Sequence, residues 1–438
     1  MSPVESGALV FATVLTLMAL GVPVLFAFLG ANLLGAWLLM HGFAGLLQAV
    51  DNSVSLITSF TLVAVPLFVM MGSLLFHSGL AVRVFDALDA FFGRVPGRLC
   101  YLTVAGSTAF STLTGSTLAN TAMLGSLMVP EMIRRGYAPR MAIGPVVGTG
   151  GLAMLIPPSS LAVLLGSLAS INIGALLIAG LLPGLMLAAM YCASIWLQLR
   201  ANPALAPVYD VAAVPPGRRL RLLVTNVLPL GLVLFAVVGL IVIGIATPSE
   251  AAAFGVLAVV LIAAGQGCLS IGAIARALRD TVTVTGMVFV LIIAASVFSQ
   301  LMAFSGLSHV AVDWALSLDG GALLKLGLMF IAVLVLGCFL DQISIMLLTI
   351  PIFFPLVKAL GIDPVWFGLL VLLALEMSLT TPPFGLLLFV MLGVSPPGTR
   401  FGDVVRAALP YLGCNLLLAM LLLAFPAIAL WLPRLLLR

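Results

Sequence analysis

Long hydrophobic blocks make up most of this chain, and short polar or proline-containing segments separate them. Several blocks exceed the roughly 20 apolar residues that an α-helix needs to cross a bilayer. Unbroken spans are predicted at 4–20, 24–40, 54–76, 174–199, 222–245, 248–264, 282–304 and 404–432, an interfacial amphipathic helix at 83–94, and polar links at 41–52 and 271–280. The pattern therefore predicts an all-α polytopic membrane protein.

Four further blocks contain a break near the middle. Residues 97–133 and 323–357 each consist of two short apolar arms around a polar tip, so each is predicted to be a re-entrant helical hairpin. Residues 142–173 and 365–392 are each predicted to form a broken transmembrane helix, because a Pro-Pro pair interrupts them. The unwound turns free carbonyl groups that another part of the protein must satisfy.

The breakers recur at one constant spacing along the chain. The pairs are Pro23 and Pro248, Pro130 and Pro355, Pro139 and Pro364, Pro157 and Pro382, and Pro158 and Pro383. This self-similarity predicts two copies of one unit, residues 1–200 and 221–438, joined by a polar, Pro-rich linker at 201–220. Each copy has an odd number of predicted crossings, so the second copy is predicted to lie in the membrane with inverted topology.

The composition excludes a soluble domain. Hydrophobic residues make up 63% and charged residues only 7% of the chain, whereas soluble domains carry about 25% charged residues. Basic residues outnumber acids by 18 to 14, an excess too small to indicate nucleic-acid binding. On the predicted topology Lys325, Lys358, Arg434 and Arg438 lie on one side of the membrane and the other basic residues on the opposite side. The positive-inside rule makes that opposite side cytoplasmic and places both termini outside.

Two acids, Asp341 and Glu376, lie inside the broken segments, where an ionisable group is costly and needs a partner. Inverted repeats with discontinuous helices that meet near the bilayer midplane are typical of secondary transporters. Unwound carbonyls and helix C-termini attract cations, and free helix N-termini attract anions. The polar atoms at the tips and breaks are mostly oxygens, which favours a hard cation such as Na⁺.

We therefore predict Na⁺ ligands at both tips and both breaks. The candidates are Gly115, Ser116 and Asn120 at the first tip, Pro157 and Ser159 at the first break, Asp341, Gln342 and Ser344 at the second tip, and Thr380, Thr381 and Pro382 at the second break. Thr117, Pro158, Glu376 and Pro383 are candidate residues of a substrate cavity. Two alternatives stay open: the small polar residues could serve only close helix packing, and Glu376 could hydrogen-bond the backbone of the first copy.

Other features of the sequence have structural explanations. Thr247, Pro248 and Glu250 form the pattern of a capping box, so Glu250 is predicted to have a structural role. The sequence contains no HExxH, GxSxG or nucleotide-binding motif, which argues against an enzyme. A carrier is favoured over a channel, because a continuous pore does not need paired re-entrant tips. The cysteines lack metal-binding spacing and are predicted to pack as small apolar residues.

Six motifs resemble those of the large, DctM-like membrane subunit of tripartite ATP-independent periplasmic (TRAP) transporters. They are GST at 115–117, GSLMVPEM at 125–132, IPPS at 156–159, TPSEAAA at 247–253, DQISI at 341–345 and TPPFG at 381–385. The motifs are spread over essentially the whole chain. The resemblance implies an elevator-type, Na⁺-driven importer of a small organic acid in a bacterial inner membrane, which makes the outer side periplasmic.

The resemblance also implies two partners, a small four-helix membrane subunit (Q-type) and a periplasmic substrate-binding protein (P-type). It places Na⁺ near Ser116 and the first Pro-Pro break, and near Asp341 and the second. The chain departs from the family pattern at Leu165, Ala374 and Leu387, which leaves the substrate class open. A stand-alone Na⁺/carboxylate symporter of related fold and a non-transporting scaffold or channel subunit are the alternative functions.

Overall fold

The computed structural model describes residues 2–40, 42–58, 60–89, 95–114, 117–157, 159–207, 215–382 and 385–436, and this part of the chain folds into helices joined by turns, without a β-strand. The first half contains α1 (Pro3–Ala19), α2 (Val24–Leu39), α3 (Phe43–Ile57), α4 (Ala64–His77), α5 (Leu80–Asp89), α6 (Arg98–Thr114), α7 (Thr117–Arg134), α8 (Pro139–Gly150), α9 (Leu152–Leu155), α10 (Ser160–Leu168) and α11 (Ile173–Ala201). The second half contains α12 (Pro216–Leu222), α13 (Leu228–Leu234), α14 (Leu240–Val242), α15 (Pro248–Gly265), α16 (Ile271–Phe304), α17 (Leu307–Ser317), α18 (Ala322–Leu336), α19 (Gln342–Ala359), α20 (Pro364–Thr380), α21 (Leu386–Val394), α22 (Phe401–Ala424) and α23 (Ala427–Leu436). Short 3₁₀ turns occupy Phe60–Val63 and Pro203–Leu205, and π-helical turns at Leu223–Val227 and Phe235–Gly239 link α12, α13 and α14.

The described residues include six helices that are long and apolar enough to cross a membrane. They are Ile173–Ala201, Gly217–Val242, Pro248–Gly265, Ile271–Phe304, Gln342–Ala359 and Phe401–Ala424. The helix pair Pro139–Leu155 and Ser160–Leu168 gives a seventh span, which is bent by 43° at its break. The prediction of an all-α, multi-pass membrane protein is therefore confirmed.

Each half contains the same succession of elements around its break. In the first half the hairpin α6–α7 precedes the broken helix α8–α10 and the long helix α11. In the second half the hairpin α18–α19 precedes the broken helix α20–α21 and the long helix α22. The repeat boundaries and the inversion of the second copy stay predictions.

Several element boundaries differ from those predicted. The segment 41–52, predicted as a polar link, belongs largely to the amphipathic helix α3, and the predicted span 54–76 is divided between α3, a 3₁₀ turn and α4. The segment 271–280, also predicted as a link, is the first part of the 34-residue helix α16. Ser270 caps this helix by accepting a hydrogen bond from Ala273 N at 3.1 Å. Because no proline follows the cap, the charged residues that suggested a link are accommodated on the helix.

The N-terminus of α15 has the predicted capping box. Thr247 N donates to Glu250 Oε2 at 2.8 Å, and Glu250 N donates to Thr247 Oγ1 at 3.4 Å. Pro248 occupies the first helical position, where a missing N–H costs nothing. The structural role predicted for Glu250 is confirmed.

Helices of the two halves pack on one another, and the broken helices lie at the centre. α4 lies along α16 and α15, and α22 packs on α8. Asn32 Nδ2 of α2 donates to the Ala294 carbonyl oxygen of α16 at 2.7 Å. All residues of α8 from Met141 onward are buried, as are those of α20 from Trp366 to Thr380. The first segments of both broken helices are therefore enclosed by protein, which irregular backbone in a membrane requires.

Glycines let α8 approach α22 closely. A Cβ added to Gly148 would lie 2.4–2.5 Å from side-chain atoms of Tyr411, and a Cβ added to Gly144 would lie 2.7 Å from the Ala407 carbonyl oxygen. Small residues at such contacts allow the backbones of membrane helices to pack together. The position of the first broken helix therefore depends on these glycines.

We expect Gly148→Ala to destabilise the protein by about 1–3 kcal/mol, because the added methyl group displaces the Tyr411 ring. Gly413→Ala is the control, since Gly413 lies on the exposed face of α22 with open space where a Cβ would project. Thermal unfolding of the purified chain in detergent measures both variants. Equal midpoints for the two would contradict the packing argument.

Candidate functional site

The first residues of four helices line one cavity, which we name the main cavity. Thr117 begins α7, Ser160 begins α10, Gln342 begins α19 and Leu386 begins α21. The main cavity has a volume of about 770 Å³, and α4 and α16 form its opposite wall. Hairpin tips and helix breaks that are far apart in sequence therefore meet at one place.

Hydrogen bonds join the first hairpin to the first broken helix. Asn120 Nδ2 donates to Ser107 Oγ, and Ser107 Oγ donates to the Thr149 carbonyl oxygen, both at 3.0 Å. The hydroxyl oxygens of Thr117 and Thr121 are buried and have no hydrogen-bond partner among the described residues. Buried polar atoms normally have a partner, and oxygen atoms are the ligands of hard cations. This corner therefore fits a Na⁺ ion.

Four of the predicted site residues, Gly115, Ser116, Pro158 and Pro383, lie outside the described part of the chain. Two residues at the first break are described. Pro157 is buried, and Ser159 is the N-cap of α10, with its Oγ accepting a hydrogen bond from Ala162 N at 3.2 Å. Ser159 therefore has a structural task, the restart of the broken helix.

Asp341 forms the N-cap of α19 at the second tip. Its Oδ2 accepts hydrogen bonds from Ile343 N at 3.1 Å and Ser344 N at 3.3 Å, and its Oδ1 accepts one from the Ser344 hydroxyl. Asp341 borders the main cavity, and it lies at the helix end that favours negative groups. A carboxylate held in place at a cavity is a suitable cation ligand.

The second tip contacts both breaks. Gln342 Nε2 lies 3.3 Å from Met154 Sδ of α9, just before the first break. At the second break, a Cβ added to Gly337 would lie 2.0 Å from Ser378 Cβ. The second hairpin therefore packs against the helix segments that come just before both breaks.

The threonine hydroxyls at the second break are directed to their own helix. Thr380 Oγ1 and Thr381 Oγ1 donate to the Met377 carbonyl oxygen, at 3.0 and 2.7 Å. The Pro382 carbonyl oxygen lies 3.9 Å from Cys338 Sγ at the second tip. These side chains therefore support the end of α20, and the backbone carbonyls beyond it are the better candidates for contact with an ion.

Glu376 is buried between the halves and is not among the described residues that line the main cavity. A Cβ added to Gly151 would lie 2.1–2.3 Å from its side-chain atoms. Its Oε1 lies 3.4 Å from the Tyr191 hydroxyl, which lies 2.5 Å from Asn415 Oδ1. The structure places Glu376 in the packed interior beside the first broken helix, instead of on the cavity wall.

The opposite wall of the main cavity carries polar side chains that the sequence prediction missed. Asp280 Oδ2 accepts hydrogen bonds from Ser73 Oγ at 2.7 Å and from His77 Nε2 at 2.8 Å. Arg279 lies beside them on the same wall. The sequence pattern predicts a link at 271–280, so it does not place Arg279 and Asp280 on a helix that lines a cavity. The four-residue spacing of Ser73 and His77 on α4 is the signal that could have revealed it.

A second cavity of about 300 Å³ is lined by the other ends of two helices of the main cavity. α10 lines the main cavity up to Leu164 and the second cavity from Ser167. α16 lines the main cavity up to Val288 and the second from Ile292. The same two helices therefore pass from one cavity to the other.

The residues that depart from the family pattern are core residues. Leu165, Ala374 and Leu387 are fully buried, and none of them is among the described residues that line the main cavity. Leu387 Cδ2 lies 3.1 Å from the position of a Cβ added to Gly150. The three positions therefore belong to the packed core around the breaks and not to the described cavity wall.

The fold is similar to those of two solved membrane proteins. The chain is similar to the YdaH transporter of Alcanivorax borkumensis, with a TM-score of 0.63 and 17% identity, covering 89% of this chain and 90% of that one. It is also similar to MtrF of Neisseria gonorrhoeae, a member of a class of antimetabolite efflux pumps, with a TM-score of 0.62 and 15% identity, covering 87% and 84%.

The family follows from the sequence comparison. Residues 11–428 match the family model of the tripartite ATP-independent periplasmic transporter, DctM component. The chain is 30% identical to the ectoine TRAP transporter large permease protein TeaC of Halomonas elongata, over 96% of this chain and 97% of that protein. It is 31% identical to the C4-dicarboxylate TRAP transporter large permease protein DctM of Pseudomonas aeruginosa, over 86% of each, and 30% identical to the sialic acid TRAP transporter large permease protein SiaM of Vibrio cholerae, over 96% and 97%. The chain therefore belongs to the DctM component family of TRAP transporters, whose members named here are permease subunits and not enzymes.

We expect Glu376→Gln to leave thermal stability nearly unchanged. Glu376 forms no ion pair among the described residues, and a neutral amide can keep its contact with the Tyr191 hydroxyl. Glu376→Ala should instead destabilise the protein by about 2–5 kcal/mol, because it leaves a cavity. Unfolding midpoints in detergent compare the two. A loss for the Gln variant as large as that for Ala would mean that the negative charge itself is required.

Proposed function

We propose that this chain is the large permease subunit of a Na⁺-coupled, binding-protein-dependent secondary transporter that imports a small organic acid across a bacterial inner membrane. The observation that carries the proposal is the meeting of four helix N-termini, from both hairpins and both broken helices, at the main cavity. Membership of the DctM family supports the subunit type.

The main cavity suits a small organic anion. Backbone N–H groups without an intrahelical partner give each helix N-terminus a partial positive charge, and such ends bind carboxylates and phosphates. Its volume of about 770 Å³ falls within the range of about 300–1,000 Å³ that is usual for small-molecule sites. An acid bound there would exchange its hydration shell for fixed dipoles of the protein.

Na⁺ is proposed to bind beside the main cavity at both corners. At the first corner the ligands are the hydroxyl oxygens of Thr117 and Thr121, together with carbonyl groups near Pro157. At the second corner they are Asp341 and carbonyl groups near Pro382. A cation next to an anion favours its binding, and by linkage the anion favours the cation to the same extent. This reciprocity is the proposed physical basis of coupling.

The two cavities support alternating access. α4 and α16 form the wall that faces the tips, and α10 and α16 continue from the main cavity into the second cavity. In the proposed elevator mechanism, the tips and breaks move along this wall and carry substrate and Na⁺ from one side to the other. Such motions move a site between two openings without opening a continuous pore.

The proposed partners and substrate follow from the family and the relatives. The three relatives are described as permeases for ectoine, a C4-dicarboxylate and sialic acid, so small organic acids are the proposed class. A small four-helix membrane subunit (Q-type) and a periplasmic substrate-binding protein (P-type) are the proposed partners. Both termini are proposed to lie in the periplasm.

Uptake by the reconstituted chain is expected only with both partners present. The cognate binding protein is first screened against organic acids, and a labelled acid that binds it is then used with proteoliposomes. Chain alone, chain with the small subunit, and the complete system are compared under an inward Na⁺ gradient. Uptake by the chain alone would indicate a stand-alone symporter, and passive flux or none under any condition would indicate a channel or scaffold subunit.

Asp341→Asn is expected to reduce Na⁺-dependent uptake by about tenfold or more, since about 1.4 kcal/mol of lost cation binding is a factor of ten. Asn is as good an N-cap as Asp, so the substitution removes the charge and keeps the start of α19. Initial uptake rates measured against Na⁺ concentration in the complete system test the change.

Asp363→Asn is the matched control. Asp363 is the N-cap of α20, with Oδ1 accepting from Val365 N at 2.9 Å, and it lies outside the main cavity. Its substitution should leave the Na⁺ dependence unaltered. The same Na⁺ dependence for the Asp341 variant, the Asp363 variant and the wild type would remove Asp341 from the proposed site.

A further inference from the structure

The wall of the main cavity that faces the tips holds a basic side chain that the proposed Na⁺ sites do not use. Among the described residues that line the cavity, the ionisable ones are His77, Arg279, Asp280 and Asp341. Asp341 caps α19, and His77 is hydrogen-bonded to Asp280. The guanidinium of Arg279 makes no hydrogen bond or ion pair with any described residue. It is therefore available to a ligand.

The acid next to Arg279 in sequence is held by another helix. Ser73 and His77 lie one turn apart on α4 and both donate to Asp280 Oδ2. Consecutive residues on a helix project about 100° apart, so this contact draws the Asp280 carboxylate toward α4. The Asp280 carboxylate is thereby hydrogen-bonded to two donors of α4, and its interaction with the Arg279 charge is through space, without a hydrogen bond between them among the described residues.

Arg279 belongs to the stripe of α16 that lines the cavity. Thr283, Val284 and Val288 continue this stripe at helical spacing, whereas Arg276, one turn earlier, does not line it. Beyond Arg279 the stripe is largely apolar, so the guanidinium is the basic group that this part of the wall offers to a ligand. The planar guanidinium matches a carboxylate with two parallel hydrogen bonds.

We propose that Arg279 is the residue that binds the carboxylate of the substrate in the main cavity, with Ser73 and His77 as positioning residues that keep Asp280 from competing for it. This inference rests on the proposed function, to which it adds the side chain that recognises the negative charge. Neutral ligands are disfavoured at this contact because they leave the guanidinium without a counter-charge.

Chemical protection tests the contact without knowledge of the natural substrate. The full-length chain in detergent is treated with phenylglyoxal, which modifies arginine, and the rates at Arg279 and Arg276 are measured by peptide mass spectrometry. Succinate is the probe, and succinamide and sodium chloride at equal ionic strength are the controls. At about ten times its dissociation constant, succinate should slow modification of Arg279 about tenfold, since the free fraction falls in that proportion.

Protection by succinate at Arg279, with none at Arg276 and none by succinamide, supports the proposal. The proposal is overturned if succinate gives no protection up to its solubility limit. It is also overturned if succinamide or chloride protects Arg279 as well as succinate does. This measurement needs neither Na⁺ nor the partner proteins. The protection experiment can therefore fail while the Asp341→Asn and reconstitution experiments give their expected results. It can also succeed when those two experiments fail.

The positioning role has its own test. His77→Phe removes one donor to Asp280 and should weaken the protection of Arg279 by succinate. Asp280→Asn added to that variant should restore it, because the neutral amide no longer competes with succinate. A simple loss of structure at His77 would not be reversed in this way. Failure of the second substitution to restore protection overturns the positioning role.

In uptake with the labelled acid bound by the cognate binding protein, Arg279→Gln should raise KM while Arg276→Gln leaves it unchanged. Arg279→Lys keeps the charge and loses the fork geometry, so its KM should lie between those of the wild type and the Gln variant. An unchanged KM in Arg279→Gln contradicts the proposal.

Discussion

Backbone N–H and C=O groups inside a bilayer must find partners within the protein, and this chain interrupts its helices at four places where that requirement is hardest to meet. The interruptions follow Thr114, Leu155, Leu336 and Thr380. Each one leaves a helix C-terminus and a helix N-terminus with unpaired backbone groups. The molecule meets the requirement by burying α8 and α20, the first segments of the broken helices, and by bringing the four new helix beginnings to the main cavity.

Side-chain caps serve the fold and the site at the same time. Ser159 and Asp341 each accept backbone N–H groups at the start of a helix that borders the main cavity. Of these two caps, Asp341 is among the residues that line the main cavity. An ion bound by Asp341, as proposed, would use the same carboxylate that caps α19, so ion binding would be coupled to the local stability of that helix.

Neither half of the chain can form this site alone. The first half contributes α4, α7 and α10, and the second contributes α16, α19 and α21. Contacts such as that between Gln342 and Met154 cross from one half to the other. The overall fold is kept in transporters of only 15–17% identity. That is expected where the pattern of apolar runs and breakers, and not particular side chains, defines the helices.

The sequence by itself determined the membrane class, the all-helical fold and the family, because apolar length, proline position and capping motifs act locally. The sequence predicted links at 41–52 and 271–280, where the structure has largely helix, because a polar stripe on a helix has the same composition as a link. Only the tertiary structure decided that Glu376 lies in the packed interior, and that Ser73 and His77 hold Asp280 beside Arg279. These positions depend on contacts between residues about two hundred positions apart, and local periodicity carries no information about such distances.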